Sequence, residues 1–280
     1  MPGIDVREVP VRRLGVRDLD ACLDLAGDRG WARESDKWRL LLELGGGYGV
    51  DEPRGGLAAT VFLTQVAPGI GVVGMLLVVR RHGGRGLGRR LMEEALGAAG
   101  CATVFLYATE AGRRLYASLG FRVADELITH AGVFRRAGER PAAVAVRAAG
   151  AGDLPTLARL DQQAFGADRS AVLRHLPAFA ERVAITAGGY AAVWRNLRVV
   201  HAGPLVADSM STARALLEAV LPEATATVRV DLHAREAAAL GGWLAERGLT
   251  ARAPSPLMVR GRNLPWNLGM VLSPLMQALG

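Results

Sequence analysis

The sequence predicts a mixed α/β fold, a central mixed β-sheet flanked by helices, laid out as two tandem units. Three observations carry that reading. Apolar, β-branched runs alternate with segments of helical periodicity along the whole chain. One such run, GVVGMLLVV at 71–79, stops at the glycine-rich loop RRHGGRGLG, and the helical segment RRLMEEALG follows at once. Residues 11–19, VRRLGVRDL, and 146–154, VRAAGAGDL, match at Val, Arg, Gly, Asp and Leu with a constant offset of 135.

Taken in order, Val11–Leu14 reads as a strand. Asp18 is the expected N-cap of a helix whose Leu19, Cys22, Leu23 and Leu25 share one face. Ser35 opens a second helix, closed by Gly45, and a short strand is expected at Tyr48–Asp51. Gly56–Val66 and Gly71–Val79 flank the Pro68–Gly69 turn as a hairpin. A helix over 86–98, a strand at Ala102–Tyr107, a helix at Ala111–Leu119 and a strand at Phe121–Ile128 complete the first unit. The polar segment RRAGERP (135–141) reads as a linker, dividing the chain into 1–137 and 138–280. The second unit repeats the order. A helix on LPTLARLDQQAFG and one at Ser170–Phe179 precede strands near Val183–Ala187 and Tyr190–Val200. VVHAGPLVAD also reads as a strand, followed by a helix at Ser211–Leu221, a strand at Ala226–Leu232, a helix at Arg235–Arg247 and a further strand. No glycine-rich basic loop follows VVHAGPLVAD, so only the first unit carries that device. The apolar tail Leu264–Leu279 packs on the core or forms a homodimer contact.

Half of the 280 residues are hydrophobic, which suffices for a substantial core and argues against disorder. The net charge of +7 invites a nucleic-acid partner. The basic residues are almost all arginine, with Lys37 the only lysine; they are scattered among acids, and aromatics are few, so that class is disfavoured. Val61–Val79 alone is apolar enough to suggest a membrane span, but Gln65, Pro68 and three glycines break it, and a hairpin fits better. No signal-peptide order opens the chain. Cys22 and Cys101 sit in apolar contexts and read as buried thiols of a reducing, cytoplasmic compartment.

The loop at 80–90 has a physical logic of its own. Glycines at 83, 84, 86 and 88 let the backbone approach a ligand closely. The loop ends at a helix N-terminus, where unpaired amides and the macrodipole favour an anion, and five arginines surround it. Other chemistries find no footing: histidines and cysteines lack metal-ligand spacing, no Gly-x-Ser-x-Gly elbow occurs, and the Walker and dinucleotide patterns do not fit.

The segment LLVVRRHGGRGLGRRLM resembles the acyl-coenzyme A loop of the GNAT superfamily of N-acetyltransferases, whose Gln/Arg-x-x-Gly-x-Gly/Ala pattern falls on Gly83, Gly86 and Gly88. VFLYATEAGRRLYASLGF fits the same family, with a tyrosine four residues before Gly-Phe, and AFGADRSAVLRHL (164–176) is similar to a two-domain subgroup with a degenerate GNAT-like second half. The resemblance implies an N-acetyltransferase that moves acetyl from acetyl-CoA to a primary amine, small molecule or peptide. It implies that Gly83, Gly84, Arg85, Gly86, Leu87, Gly88 and Arg89 hold the pyrophosphate, that Leu76, Leu77 and Val78 line the pantetheine through main-chain bonds, and that Tyr116 is the general acid. The departures are Gly83 in the place of Gln or Arg, Tyr107 where the subgroup has an acid, and a strand 71–79 without a carboxylate base. Candidate bases are then Glu34, Asp36, Asp51 and Glu52, with His130 and His201 as alternatives. The competing reading is a protein that binds acyl-CoA as a sensor or scaffold without catalysis.

Overall fold

A computed structural model describes residue 5, residues 8–136 and residues 144–280. The expected boundary at 137/138 lies outside the described residues. The first half runs β1 (Val11–Arg13), α1 (Leu19–Asp28), α2 (Ser35–Leu44), β2 (Gly47–Asp51), β3 (Leu57–Ala67), β4 (Ile70–Val78), α3 (Leu87–Ala99), β5 (Thr103–Tyr107), α4 (Glu110–Ser118) and β6 (Arg122–Val133). The second runs β7 (Arg147–Ala148), α5 (Leu154–Phe165), α6 (Ser170–Leu173), α7 (Leu176–Phe179), β8 (Arg182–Ile185), β9 (Gly189–Asn196), β10 (Val199–Ala207), α8 (Met210–Val220), β11 (Thr227–His233), α9 (Ala234–Glu246), β12 (Leu249–Ala251), β13 (Ser255–Gly261) and β14 (Val271–Ser273). No helix among the described residues is long and apolar enough to cross a membrane.

The sequence repeat is a physical unit. In each copy the aspartate accepts the amide of the glycine three residues earlier, Gly15 to Asp18 at 2.9 Å and Gly150 to Asp153 at 2.8 Å. In each copy the matched arginine, Arg12 or Arg147, grips that aspartate. Asp18 is the N-cap residue of α1, as expected, but its side chain braces the preceding 3-10 turn and accepts none of the α1 amides. The single helix expected at Ser170–Phe179 is two short ones, α6 and α7. Pro177 falls in the first turn of α7, a place where a missing N–H costs nothing, so a new helix starts there instead of the old one continuing.

Among the described residues all 14 strands belong to one sheet, ordered β1-β2-β3-β4-β5-β13-β6-β11-β10-β9-β8-β7, with β12 on β6 and β14 on β10. Strand β13, late in the chain, lies antiparallel between β5 and β6. Strand β6 pairs with β13 through its first part and with β11 and β12 through its second. That is why it runs to Val133 instead of ending near Ile128: a partner waits on each side. Each half is closed by a strand of the other. One apolar cluster also crosses the divide, joining Trp38, Phe62 and Phe105 to Phe165, Tyr190 and Trp194. The tail belongs to this cluster: Leu275, Met276 and Leu279 are buried in it, so these apolar side chains are used inside the fold.

Candidate active site

The site begins with a bulge. Between the pairs Thr60–Leu77 and Phe62–Gly74, β3 supplies one residue and β4 two, Met75 and Leu76. Met75 takes φ +51°, and the Thr60 hydroxyl donates to its carbonyl at 2.9 Å. A bulge bends its strand, and the parallel pairing of β4 with β5 ends at Val73–Leu106. Beyond that point the strands diverge, and residues 76–78 have no partner on the β5 side. Leu76 and Val78 are half-buried and lean toward Gly88 at the start of α3, while Leu77 is buried on the other face in the apolar cluster of Trp38 and Phe62. The side chains of Leu76 and Val78 lie on the Gly88 face and that of Leu77 on the other, while the backbone of all three, the part expected to meet the ligand, is unpaired on the β5 side.

The loop leads from β4 into α3. Its first turn, 80–82, is fastened down: the Arg80 amide and Nε donate to Asp28, and Glu52 takes His82 Nε2 at 2.8 Å and Arg81 Nη2 at 2.7 Å. Past this anchor, the amides of residues 84–89 find no acceptor among the described residues. Gly86 is the N-cap of α3 with φ +83°, contributes no capping side chain, and has open space where a Cβ would stand. This is a cradle of free N–H groups at a helix N-terminus, suited to a phosphate. Arg85 has no ion-pair partner among the described residues and is available to the anion. Arg89 is turned away, donating to Ser118 of α4 at 2.6 Å and pairing with Glu93.

The second half repeats this architecture and then closes it. β10 and β11 pair in parallel over four residues, Val199–Ala202 with Thr227–Val230, as β4 and β5 do. A bulge follows at residues 203–204. Here β14 fills the space, pairing with Leu205 and Val206. The loop to the next helix shrinks to Asp208 and Ser209, and the Ser209 hydroxyl accepts the Thr212 amide at 3.2 Å. Thr212 in turn donates to Asp208 at 2.7 Å, placing a carboxylate where the first half offers its anion cradle. The absent device at this position thus has a cause: chain and side chains of the protein itself occupy it.

Between the open splay and the second half lies a cavity of about 160 Å³ lined by Leu76, Tyr116, Lys37, His201 and Arg229 among others, with the tail 274–278 as one wall. A larger groove of about 640 Å³ continues from it between α2 and the β9–β10 hairpin, sharing Glu34, Lys37 and Trp194. Tyr116 is packed edge-on against Phe121 at 6.1 Å, and burial pushes its phenol up to about 12. Tyr107, at the position where an acid was expected, is raised further by burial, and its hydroxyl is buried without a partner.

The candidate bases separate clearly. Asp51 is bound by Arg12, Glu52 anchors the loop, and His130 lies under Gly241 of α9, outside the cavity. Asp36 is exposed and lines only the larger groove. Glu34 and His201 reach the cavity. Glu34 accepts from Asn196 and pairs with Lys37. His201 stacks on Trp194 at 4.2 Å, and burial with the nearby Arg229 lowers its imidazole to about 4, so it is neutral at pH 7. Lys37, Arg229 and Asp231, none of them a candidate from the sequence, also line the cavity. A lone lysine in an arginine-rich chain was the available signal for the first. Burial and the charge of Arg229 bring its ammonium down to about 7. Among the described residues no group of His, Cys, Asp and Glu is arranged to hold a metal. Cys22 is a buried free thiol raised to about 12, and Cys101 is free and half-buried.

A tandem pair of mixed-sheet units, one keeping an open splay beneath a phosphate-type loop and one closed, defines the class: a two-domain scaffold with one open splay among the described residues. The comparisons give that class its family. Models described as acetyltransferase (GNAT) domain match residues 46–123 and residues 157–271. The chain belongs to the GNAT superfamily, as a two-domain GNAT-type acetyltransferase. A Pyrococcus horikoshii structure described as a candidate acetyltransferase is similar over 100% of this chain and 99% of its own, at 18% identity and TM-score 0.84. A tandem GNAT protein from the clavulanic acid biosynthesis pathway aligns with 91% of this chain and 100% of its own, at 16% identity and TM-score 0.63. A GCN5-related N-acetyltransferase from Kribbella flavida covers 92% of this chain and 72% of its own, at 23% identity and TM-score 0.59. No curated protein matches the chain.

Proposed function

We propose that the protein transfers acetyl from acetyl-CoA to a primary amine. The first half holds the coenzyme, and the acceptor enters between the halves. The observation that carries this reading is the pairing, at one splay, of free loop amides on one side with the Tyr116 phenol on the other. When bound, acetyl-CoA supplies a thioester carbonyl that an amine attacks, the C–N bond forming as the C–S bond breaks. The amides of residues 84–89 and Arg85 bind the pyrophosphate, and Leu76 and Val78 flank the pantetheine arm. Tyr116, still protonated at neutral pH, gives its proton to the departing sulfur, whose thiol has a reference pKa of about 8.5. The neutral His201 imidazole takes the proton released from nitrogen. The division of roles between 1–137 and 138–280 follows the same reading, the second unit forming the acceptor wall.

Gly86→Ala is expected to raise the acetyl-CoA Kd about tenfold. An L residue at φ +83° costs about 1–2 kcal/mol; the free loop relaxes to avoid it, and binding must then restore the cradle. Calorimetric titration reads this directly, and an unchanged Kd removes the loop from the site. The function itself is tested by following free thiol with acetyl-CoA and a panel of primary amines. Thiol release that depends on the amine is the expected result. Tight acetyl-CoA binding without turnover on any amine would instead favour the sensor or scaffold.

A further inference from the structure

We propose that the acceptor amine also carries a carboxylate, and that Lys37 and Arg229 hold it in the cavity between the halves. The inference rests on the acetyltransferase reading for the amine end and on the cavity's own chemistry for the carboxylate end.

Lys37 comes from α2 of the first half and Arg229 from β11 of the second, and both line the same cavity. The two cations are close enough for the charge of Arg229 to weaken the Lys37 ammonium. Each has one acid at its back. Glu34 pairs with Lys37, and Asp231 takes Arg229 Nε at 2.9 Å and Nη2 at 2.8 Å. Those acids are spent. Glu34 also accepts from Asn196, while Asp231 accepts the Thr129 hydroxyl at 2.6 Å and Gln277 Nε2 at 3.3 Å. Donors are what is left over: Arg229 Nη1 has no acceptor among the described residues, and Lys37, when protonated, has three N–H donors for one acid.

A plain alkylamine would bring one more cation to this spot and nothing to meet these donors. A carboxylate would take both in charge-assisted hydrogen bonds. The groove of about 640 Å³ that opens past Lys37 and Trp194 leaves room for the rest of a larger acceptor. The chemical class is an amino acid or a compound built like one.

The test compares matched pairs, alanine with alaninamide and lysine with lysinamide, by thiol release with acetyl-CoA and by calorimetric titration of each alone. The acid of at least one pair is expected to show kcat/KM about tenfold above its amide, and tighter binding, through loss of charge-assisted contacts in the amide. The amide's less basic amine biases the comparison the other way. Arg229→Gln and Lys37→Gln, checked for folding by thermal melting, should each raise KM for the acid with kcat little changed and bring the pair to within about threefold. Equal or better use of the amides, equal or undetectable binding of both members, or variants that keep the preference would overturn the proposal. Binding that favours the acid while no thiol is released would sink acetyl transfer and leave the carboxylate slot standing.

Discussion

Tyr116→Phe is expected to lower kcat by about 10²–10⁴-fold, the usual contribution of a positioned general acid, with the acetyl-CoA Kd unchanged. The split follows from how the residue is held. Its ring is buried in the core of the first half and packs on Phe121, and phenylalanine keeps both contacts. Tyr116 lines the cavity and its hydroxyl makes no hydrogen bond among the described residues, so removing that hydroxyl strands no partner. The pH dependence has a definite sign. A general acid must be protonated, and burial raises this phenol to about 12, so the activity it supports is present below that value and lost only as pH rises through it. The wild-type kcat should therefore show no fall near 10, where an ordinary phenol titrates. Steady-state kinetics under conditions where chemistry limits turnover decide the point; unchanged kcat in the variant removes Tyr116 from the reaction.

Arg169→Met is expected to destabilise the fold by about 3–5 kcal/mol, the cost of leaving one member of a buried ion pair without the other. Arg169 is 5% exposed and Asp161 fully buried, with guanidinium bonds at 2.7 and 2.9 Å, and the Tyr190 hydroxyl donates to the same carboxylate at 2.5 Å. The third contact matters for the site. Arg169 Nη1 donates to the Gly280 carbonyl at 3.0 Å, and Trp194 Nε1 donates to Leu275 at 3.0 Å, so these side chains fix the tail that walls the cavity. A Cβ on Gly74 would meet Ala278 at 2.7 Å, which shows how closely the tail lies on the bulged strand. Denaturant unfolding should show the loss. The double variant Arg169→Met, Asp161→Leu should recover much of it, because no unpaired charge is then buried. A single variant as stable as the parent would contradict this role.

Local physics made much of the fold legible. The hairpin around Pro68–Gly69, the Gly45 stop of α2 and the strand–loop–helix unit at 71–97 all depend on residues adjacent in sequence. So does the Arg–Gly–Asp brace that recurs at an offset of 135. What escaped the sequence was non-local. Nothing in SPLMVRG says that β13 slots between β5 and β6, because the choice of neighbour depends on which edges are open once both halves exist. The same holds for the site. Gly86 and Tyr116 could be read from motif spacing, but Arg229 joins Lys37 only because β11 faces α2 across the divide. Among the base candidates, Asp51 and Glu52 read as free acids in the sequence, but Arg12 holds the first and Arg81 and His82 hold the second. The alternation of apolar and polar residues cannot report such pairings.

The repeated unit gives two equivalent splays, of which one is open and the other is sealed by β14, Ser209 and Asp208. Calorimetric titration of the intact chain with acetyl-CoA tests it most directly. The account predicts one site per chain, weakened by Gly86→Ala and unaffected by Ser209→Ala. Two sites per chain, or a single site that responds to Ser209→Ala and ignores Gly86→Ala, would contradict it.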